Sequence, residues 1–490
     1  MIQIISRAAF SLAFLGLSTA AAVAQPFAYV ANELSNTVSG YTVDSATGAL
    51  TELTGSPFPA GGHPTTVMAT PSGKFVYVTD YYGNAISAYS LNGTKGALFP
   101  IAGSPFATGS SPFSLSISPS GKLLYTANYG GGNISAFGIN GATGALTPLA
   151  GSPFAAGTNP LSLAFTPSGK FLYVSDPGTG TVLAFVVNSG GLTQAPGSPY
   201  SAGSYPFGLA VSPSGKYLYV ANSNSGNISA YSISNTTGAL TQISGSPFAT
   251  GGQPSAVAVT PSGHFLYIAG GSSNNVYGLR INATTGALTS ISNSPFPAGD
   301  VPYDVTVSSS GQFAYAVDYY GGQITGYSIS STGALTPLSD SPFTAGAAPA
   351  SIAFANPAVK SCGALNVSAE ATLAPGPYTR QSRGSELWDE TLTITNGVTP
   401  ISGPLSVVLT DLPSSTTTLS GTYPGLTTTY CFSAAGNYVV PIGSLLPPAN
   451  DDTLLPGEVL SVPFVFETTG GSSVKPTHYK AKLISGALNK

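Results

Sequence analysis

The residues best equipped for chemistry recur at two fixed places in a repeated segment. One place ends an apolar run and holds Asn32, Asp80, Asn128, Asp176, Asn222, Gly270 and Asp318. The other stands just before a proline and holds His63, Ser111, Asn159, Tyr205, Gln253, Val301 and Ala348. Six of the seven residues in the first set are Asn or Asp. Such side chains commonly cap their own tight turns. Read instead as ligands, Asp80 and Asp318, with Asp176, Asp300 and Asp304, offer the hard oxygen donors that calcium takes, although no EF-hand loop accompanies them.

Aromatic residues follow both sets. Tyr81, Tyr82, Tyr129, Tyr319 and Tyr320 come after the Asx position, while Phe113, Phe207 and Tyr303 come after the proline. Aromatic faces beside amides and carboxylates suit a sugar ring or a protein partner, and packing over loops is the plainer use. The residues expected to bind are therefore Asp80, Tyr81, Asn128, Tyr129, Asp176, Asn222, Asp318 and Tyr319.

Hydrolytic chemistry has few candidates. Activating a water requires a general base, and stabilising the developing oxyanion requires a donor or a positive charge. Before residue 357 the histidines are His63 and His264, and His264 stands where other copies have a turn lysine. His63 is the catalytic candidate. The lysines at 74, 122, 170 and 216 belong to Pro-Ser-Gly-Lys turns, and Arg280 has an outer-strand context, so a phosphate would meet few cations. No G-x-S-x-G nucleophile elbow is present.

These residues are positioned by a repeat. Ser-Pro-Phe, once Ser-Pro-Tyr, begins at Ser56, Ser104, Ser152, Ser198, Ser246, Ser294 and Ser341, in steps of 46 to 48 residues. Tyr29, Tyr77, Tyr125, Tyr173, Tyr219, Tyr267 and Tyr315 keep the same beat inside apolar runs. One unit reads as strands over 161–165, 171–175 and 182–187 with a weaker fourth from Leu192, separated by Gly, Pro, Ser and Asn. Four short strands in about 48 residues match a propeller blade. The first copy starts at its second strand (27–32) and the last ends on a lone first strand (351–355). Joining the two completes a seventh blade and removes the open edge. The fold class predicted is all-β: a seven-bladed β-propeller closed by both chain ends, followed by an immunoglobulin-like β-sandwich domain.

Phe27-Ala28-Tyr29-Val30-Ala31-Asn32, Val76-Tyr77-Val78-Thr79-Asp80 and Leu218-Tyr219-Val220-Ala221-Asn222 resemble YVTN-type propeller repeats. The longer pattern, Pro-Ser-Gly-Lys-Phe-Leu-Tyr-Val followed by Ile-Ser-Ala-Tyr and Thr-Gly-Ala-Leu, resembles the 6-phosphogluconolactonase-like seven-bladed lactonases over about residues 27–357. That resemblance implies a propeller and, as one reading of function, hydrolysis of a sugar lactone. The His, Glu and Arg that the family draws on near the axis do not carry over to matching positions.

Composition and the chain ends complete the expectations. Charged residues are 7% of the 490, against roughly 25% in ordinary soluble domains. Without a basic patch the chain lacks the footprint of a nucleic-acid binder. Residues 1–24 read as a secretory signal peptide, with Arg7, an apolar stretch over 8–17 and Ala22-Val23-Ala24 before Gln25, which implies a secreted or periplasmic protein. That stretch is too short to span a bilayer. The propeller is expected over 25–357 and the sandwich over 358–490, where about seven strand candidates separated by turns surround Trp388. Cys362 and Cys431 are expected to pair. The function expected is binding of a carbohydrate or protein partner at the propeller funnel, with lactone hydrolysis as the alternative. No cofactor is expected beyond the calcium that the aspartates suggest.

Overall fold

The computed structural model describes residues 26–93 and 95–356 in full, and beyond these the backbone of strands between Leu365 and Ser485. One compact unit spans Gln25–Pro357. It is a seven-bladed β-propeller, with no α-helix among its described residues.

Blade 1 shows the plan. An inner strand, Pro64–Ala69, pairs with Phe75–Asp80, which pairs with Ala85–Leu91, which pairs with Leu98–Pro100. Apolar and small β-branched residues on both faces of the second strand fit a sheet packed between two neighbours. All six residues of Phe75–Asp80 are buried. The inner strands of blades 2 to 6 are Pro112–Ile117, Leu163–Phe165, Pro206–Val211, Pro254–Val259 and Pro302–Val307. In each blade the structure adds a fifth strand of two residues, such as Phe106–Ala107, which lies beside the third strand. This is what Ser-Pro-Phe builds. Each Ser–Pro bond is cis, and each serine Oγ accepts a third-strand N–H, as Ser104 does from Ala88 at 2.9 Å.

Blade 7 closes the ring as the two half-copies require. Pro349–Ala355 pairs with Phe27–Asn32, followed by Thr37–Val43 and Leu50–Glu52. The buried tyrosines hold blade to blade. Tyr77 donates to the carbonyl of Gly144 in the next blade at 2.7 Å, and Tyr173 to Gly238 at 2.9 Å. Tyr315 donates to Gly48 at 2.6 Å, joining blade 6 to blade 7 across 267 residues of sequence. Gly48 has φ of +76°, and a Cβ there would collide with Phe313 at 2.5 Å, so the Thr-Gly-Ala-Leu turn requires glycine on two counts.

Six inner strands enter the sheet through a register shift, at Pro64, Pro112, Pro206, Pro254, Pro302 and Pro349. A bulge re-aims side chains. Here it lets consecutive residues face the axis together: Thr65 with Thr66, Phe113 with Ser114, Tyr303 with Asp304.

Between 365 and 485 the backbone forms two antiparallel sheets, one centred on Leu387–Asn396 paired with Val459–Thr468, the other on Leu405–Thr410 paired with Lys480–Ser485. The signal peptide, the immunoglobulin-like packing, the side chain of Trp388 and the Cys362–Cys431 pairing lie outside the described residues.

Candidate functional site

The mouth of the propeller is the face where inner strands begin and second strands turn into third strands. Its loops are over-determined. His63, Ser111, Tyr205, Gln253, Val301 and Ala348 all have left-handed backbone, with φ between 47° and 63°. Non-glycine residues seldom adopt this conformation, and residues so held cluster at functional sites. The neighbouring blade supplies the restraint at His63, whose N–H donates to Asn36 Oδ1 at 2.8 Å.

The same turn of blade 7 supplies a carboxylate to the His63 ring. Glu33 Oε1 lies 2.7 Å from His63 Nδ1, with the two side chains 11% and 19% exposed. The carboxylate sits off the ring N–H direction, so this is a close contact and not an aligned hydrogen bond, and it becomes an ion pair when the imidazole takes up a proton. Glu33 is held in turn: its N–H donates to Ala348 O at 2.9 Å, and its carboxylate lies near enough to Tyr319 to act on that phenol electrostatically. Burial first, and then Glu33, push the Tyr319 phenol far above its ordinary value, so it stays protonated.

Aromatic rings surround this pair. Tyr82 and Tyr81 centre 4.4 and 5.8 Å from the His63 ring. Tyr81 meets Phe113, Phe113 meets Phe207 at 5.8 Å, and Phe207 meets Tyr303 at 5.5 Å. Phe113, Phe207 and Tyr303 come from blades 2, 4 and 6, so their rings meet across the axis and plug it. Below the plug the inner strands line an open cavity of about 480 Å³. Asp304 faces it, accepting from Val305 N at 2.8 Å and from Ile352 N of blade 7 at 3.0 Å. Burial raises the Asp304 carboxyl to about 6.

The Asx ring is turned the other way. Asp80, Asn128, Asp176, Asn222 and Asp318 are at most 1% exposed. Asp80 accepts from Gly61 N at 3.1 Å and Ser87 Oγ at 2.7 Å, and Asp318 accepts from Gly299 N at 3.1 Å and Thr325 Oγ1 at 2.6 Å. Asn222 accepts from Gly203 N at 3.0 Å and donates to Ser229 Oγ at 2.9 Å, while Asn128 donates to Ser135 Oγ at 2.9 Å. Asp176 accepts four bonds within blade 3, from Thr158 N, Asn159 N, Gly178 N and Thr179 Oγ1. These side chains tie loops to strands and face no cavity. Nor are the aspartates brought together: among the described residues no three His, Cys, Asp or Glu side chains converge on a metal-sized space. Asp80 and Asp318 belong to blades 1 and 6, and each is bonded within its own loop and strand.

Tyr81, Tyr129 and Tyr319 do reach the mouth, half-buried around it. Among the described residues the lysines of the Pro-Ser-Gly-Lys turns are exposed on the opposite face with His264, and Arg280 stacks 5.1 Å over Phe265 on the outside. Glu33 was the residue missed. It stands directly after Asn32, as Tyr81 stands after Asp80 and Tyr319 after Asp318, so its column was marked in the sequence.

Comparison with known proteins agrees with this architecture. The family model described as "Lactonase, 7-bladed beta-propeller" matches residues 19–158 and 152–249. No curated protein matches the chain in sequence. Among solved structures, a candidate 6-phosphogluconolactonase of Bacteroides fragilis is 23% identical with TM-score 0.60, over 68% of this chain and 98% of its own. A Bacteroides uniformis counterpart is 21% identical with TM-score 0.59, over 68% and 99%. The periplasmic gluconolactonase of Pseudomonas aeruginosa is 18% identical with TM-score 0.58, over 67% and 99%. At these identities the structural likeness speaks for the fold. Blade count and repeat pattern together show a seven-bladed β-propeller, and over residues 19–249 its sequence is similar to the seven-bladed lactonase family.

Proposed function

We propose that the protein hydrolyses an uncharged sugar lactone at the mouth of its propeller, with His63 as general base and Glu33 as its partner. The carrying observation is the Glu33–His63 pair, 2.7 Å apart, inside a ring of tyrosines. With Nδ1 turned to Glu33, Nε2 is the atom left to take a proton from water as the oxygen attacks the lactone carbonyl. The imidazolium that forms is compensated by the carboxylate. Collapse of the tetrahedral intermediate breaks the ring C–O bond, and the proton returns from Nε2 to the leaving alkoxide, giving the hydroxy acid. The Tyr81 phenol is the donor nearest in kind to what the developing oxyanion needs. The lack of Lys or Arg among the described mouth residues argues for a neutral substrate.

A leader-like N-terminus supports action outside the cytoplasm, where sugar phosphates are scarce. The family match and the gluconolactonase-type fold support the reaction class. Removing the base, by His63→Ala, is expected to lower kcat/KM about 10²- to 10⁴-fold, with phosphorylated lactones turned over less well than neutral ones. Neutral-lactone turnover that survives the substitution unchanged would refute the assignment.

A second reading rests on the exposed rings. Tyr82 and Tyr320 are 70% and 73% exposed beside a mouth without cations, which suits an exported protein that binds a neutral glycan without converting it. Tight glycan binding with no lactone turnover would select it.

A further inference from the structure

The aromatic rim is one-sided. After the Asx position, blades 6, 7, 1 and 2 carry Tyr319-Tyr320, Glu33-Leu34, Tyr81-Tyr82 and Tyr129, whereas blades 3, 4 and 5 carry Pro177-Gly178, Ser223-Asn224 and Gly271-Ser272. Four large apolar or aromatic side chains of the propeller stand exposed, and three of them, Leu34, Tyr82 and Tyr320, are on this half of the mouth. Next to the Glu33–His63 pair the rim opens into a cleft of about 410 Å³ between blades 6 and 7. Tyr319, Tyr320 and Leu34 wall it, and Gly321, Gly322 and the 345–348 segment floor it.

We propose that this cleft is a subsite for a second ring, so that the substrate is a lactone carrying a neutral glycosyl substituent. The inference rests on the lactonase reading above and adds the substrate's shape. Three observations favour this occupant. The cleft is continuous with the reaction site, because Leu34 follows Glu33 in the chain and the lining residue Ala348 accepts from Glu33 N at 2.9 Å. None of its lining residues is charged, so an ionic group entering it would lose hydration without compensation. Its small floor residues let a flat ring descend, while the Tyr320 ring, 5.2 Å from that of Tyr319, offers an apolar face with a hydroxyl at the edge. A pyranose has the matching character, apolar on its C–H faces and polar at its rim. The volume falls in the range of small-molecule sites.

The test compares kcat/KM for glucono-1,5-lactone and cellobiono-1,5-lactone, using the full chain and Tyr320→Ala. The full chain is expected to favour the glycosylated lactone by about tenfold or more. Tyr320→Ala removes a stacking face and is expected to cut that ratio about tenfold, while Tyr320→Trp retains it. Tyr320 is exposed, so the substitution leaves the fold standing, which thermal unfolding verifies. No preference in the full chain, or a ratio unmoved by Tyr320→Ala, overturns the subsite. If neither lactone is hydrolysed, the reaction fails and the subsite is judged by calorimetry with cellobiose, which is neutral. Binding lost in Tyr320→Ala then upholds it, and no binding to the full chain overturns it.

Discussion

Asp80 and Asp318 show how the same residue type is made structural or functional by its surroundings. Burial, chiefly, lifts both carboxyls to about 6, against the lowering effect of their hydrogen bonds. A carboxyl whose folded pKa lies above its unfolded value of about 3.9 binds protons more readily in the native state. Its contribution is therefore full below about pH 4 and lost as pH rises to about 6, up to roughly 3 kcal/mol per group. Blades 2, 4 and 7 hold Asn at this place with the same serine partner, as in Asn32 Nδ2 to Ser39 Oγ at 2.9 Å. The Asp80→Asn, Asp318→Asn double variant should accordingly be at least as stable as the parent at pH 7. Its melting temperature should also vary less between pH 4.5 and 7, as calorimetry can measure. Asp176→Asn should behave oppositely, losing about 1–3 kcal/mol, because an amide N–H₂ would replace an oxygen that accepts from two donors. At this scale the sequence marked the columns but not their direction. Alternation does not reveal whether a strand-ending Asx faces its own loop or the axis. The Glu33–His63 pair joins residues from different blades, which no local pattern displays.

The elements were the most legible part. Ser-Pro-Phe and the buried tyrosines repeat at blade length, and strand runs of apolar and β-branched residues give the four main strands of each blade. The two-residue fifth strands escaped notice because they are too short to show alternation. What the tyrosines do for the fold also required the structure: each phenol donates to a glycine carbonyl one blade on. Tyr77→Phe leaves the Gly144 carbonyl buried and unpaired, and should cost about 1–3 kcal/mol in chemical unfolding. The exposed Tyr320→Phe should stay within about 0.5 kcal/mol. Equal effects would mean that burial of the rings, and not the phenol-to-carbonyl bond, secures the blade contacts.

The whole ring depends on one seam. Pro349–Ala355 pairs with Phe27–Asn32, and the Asp304 carboxylate accepts from Ile352 N, so blade 6, the N-terminal strand and the closing strand meet there. A chain ending at residue 357 should unfold in one cooperative transition. One ending at residue 348 leaves an open edge and should melt lower and aggregate, as calorimetry with light scattering would record. Comparable melting of the two chains would show that closure contributes little. Seven copies with two half-copies at the ends made closure readable in advance. The one-sidedness of the mouth came into view only once the loops were placed around the axis.

The most direct test of the account is the rate at which the full chain, His63→Ala and Glu33→Gln open a neutral sugar lactone, set against the spontaneous rate. The account predicts turnover well above background for the full chain, loss of about 10²- to 10⁴-fold in His63→Ala, and a large loss in Glu33→Gln, with all three proteins folded. Equal rates in all three would contradict it, removing the Glu33–His63 pair from the chemistry and leaving the likeness to lactonases as a statement of fold.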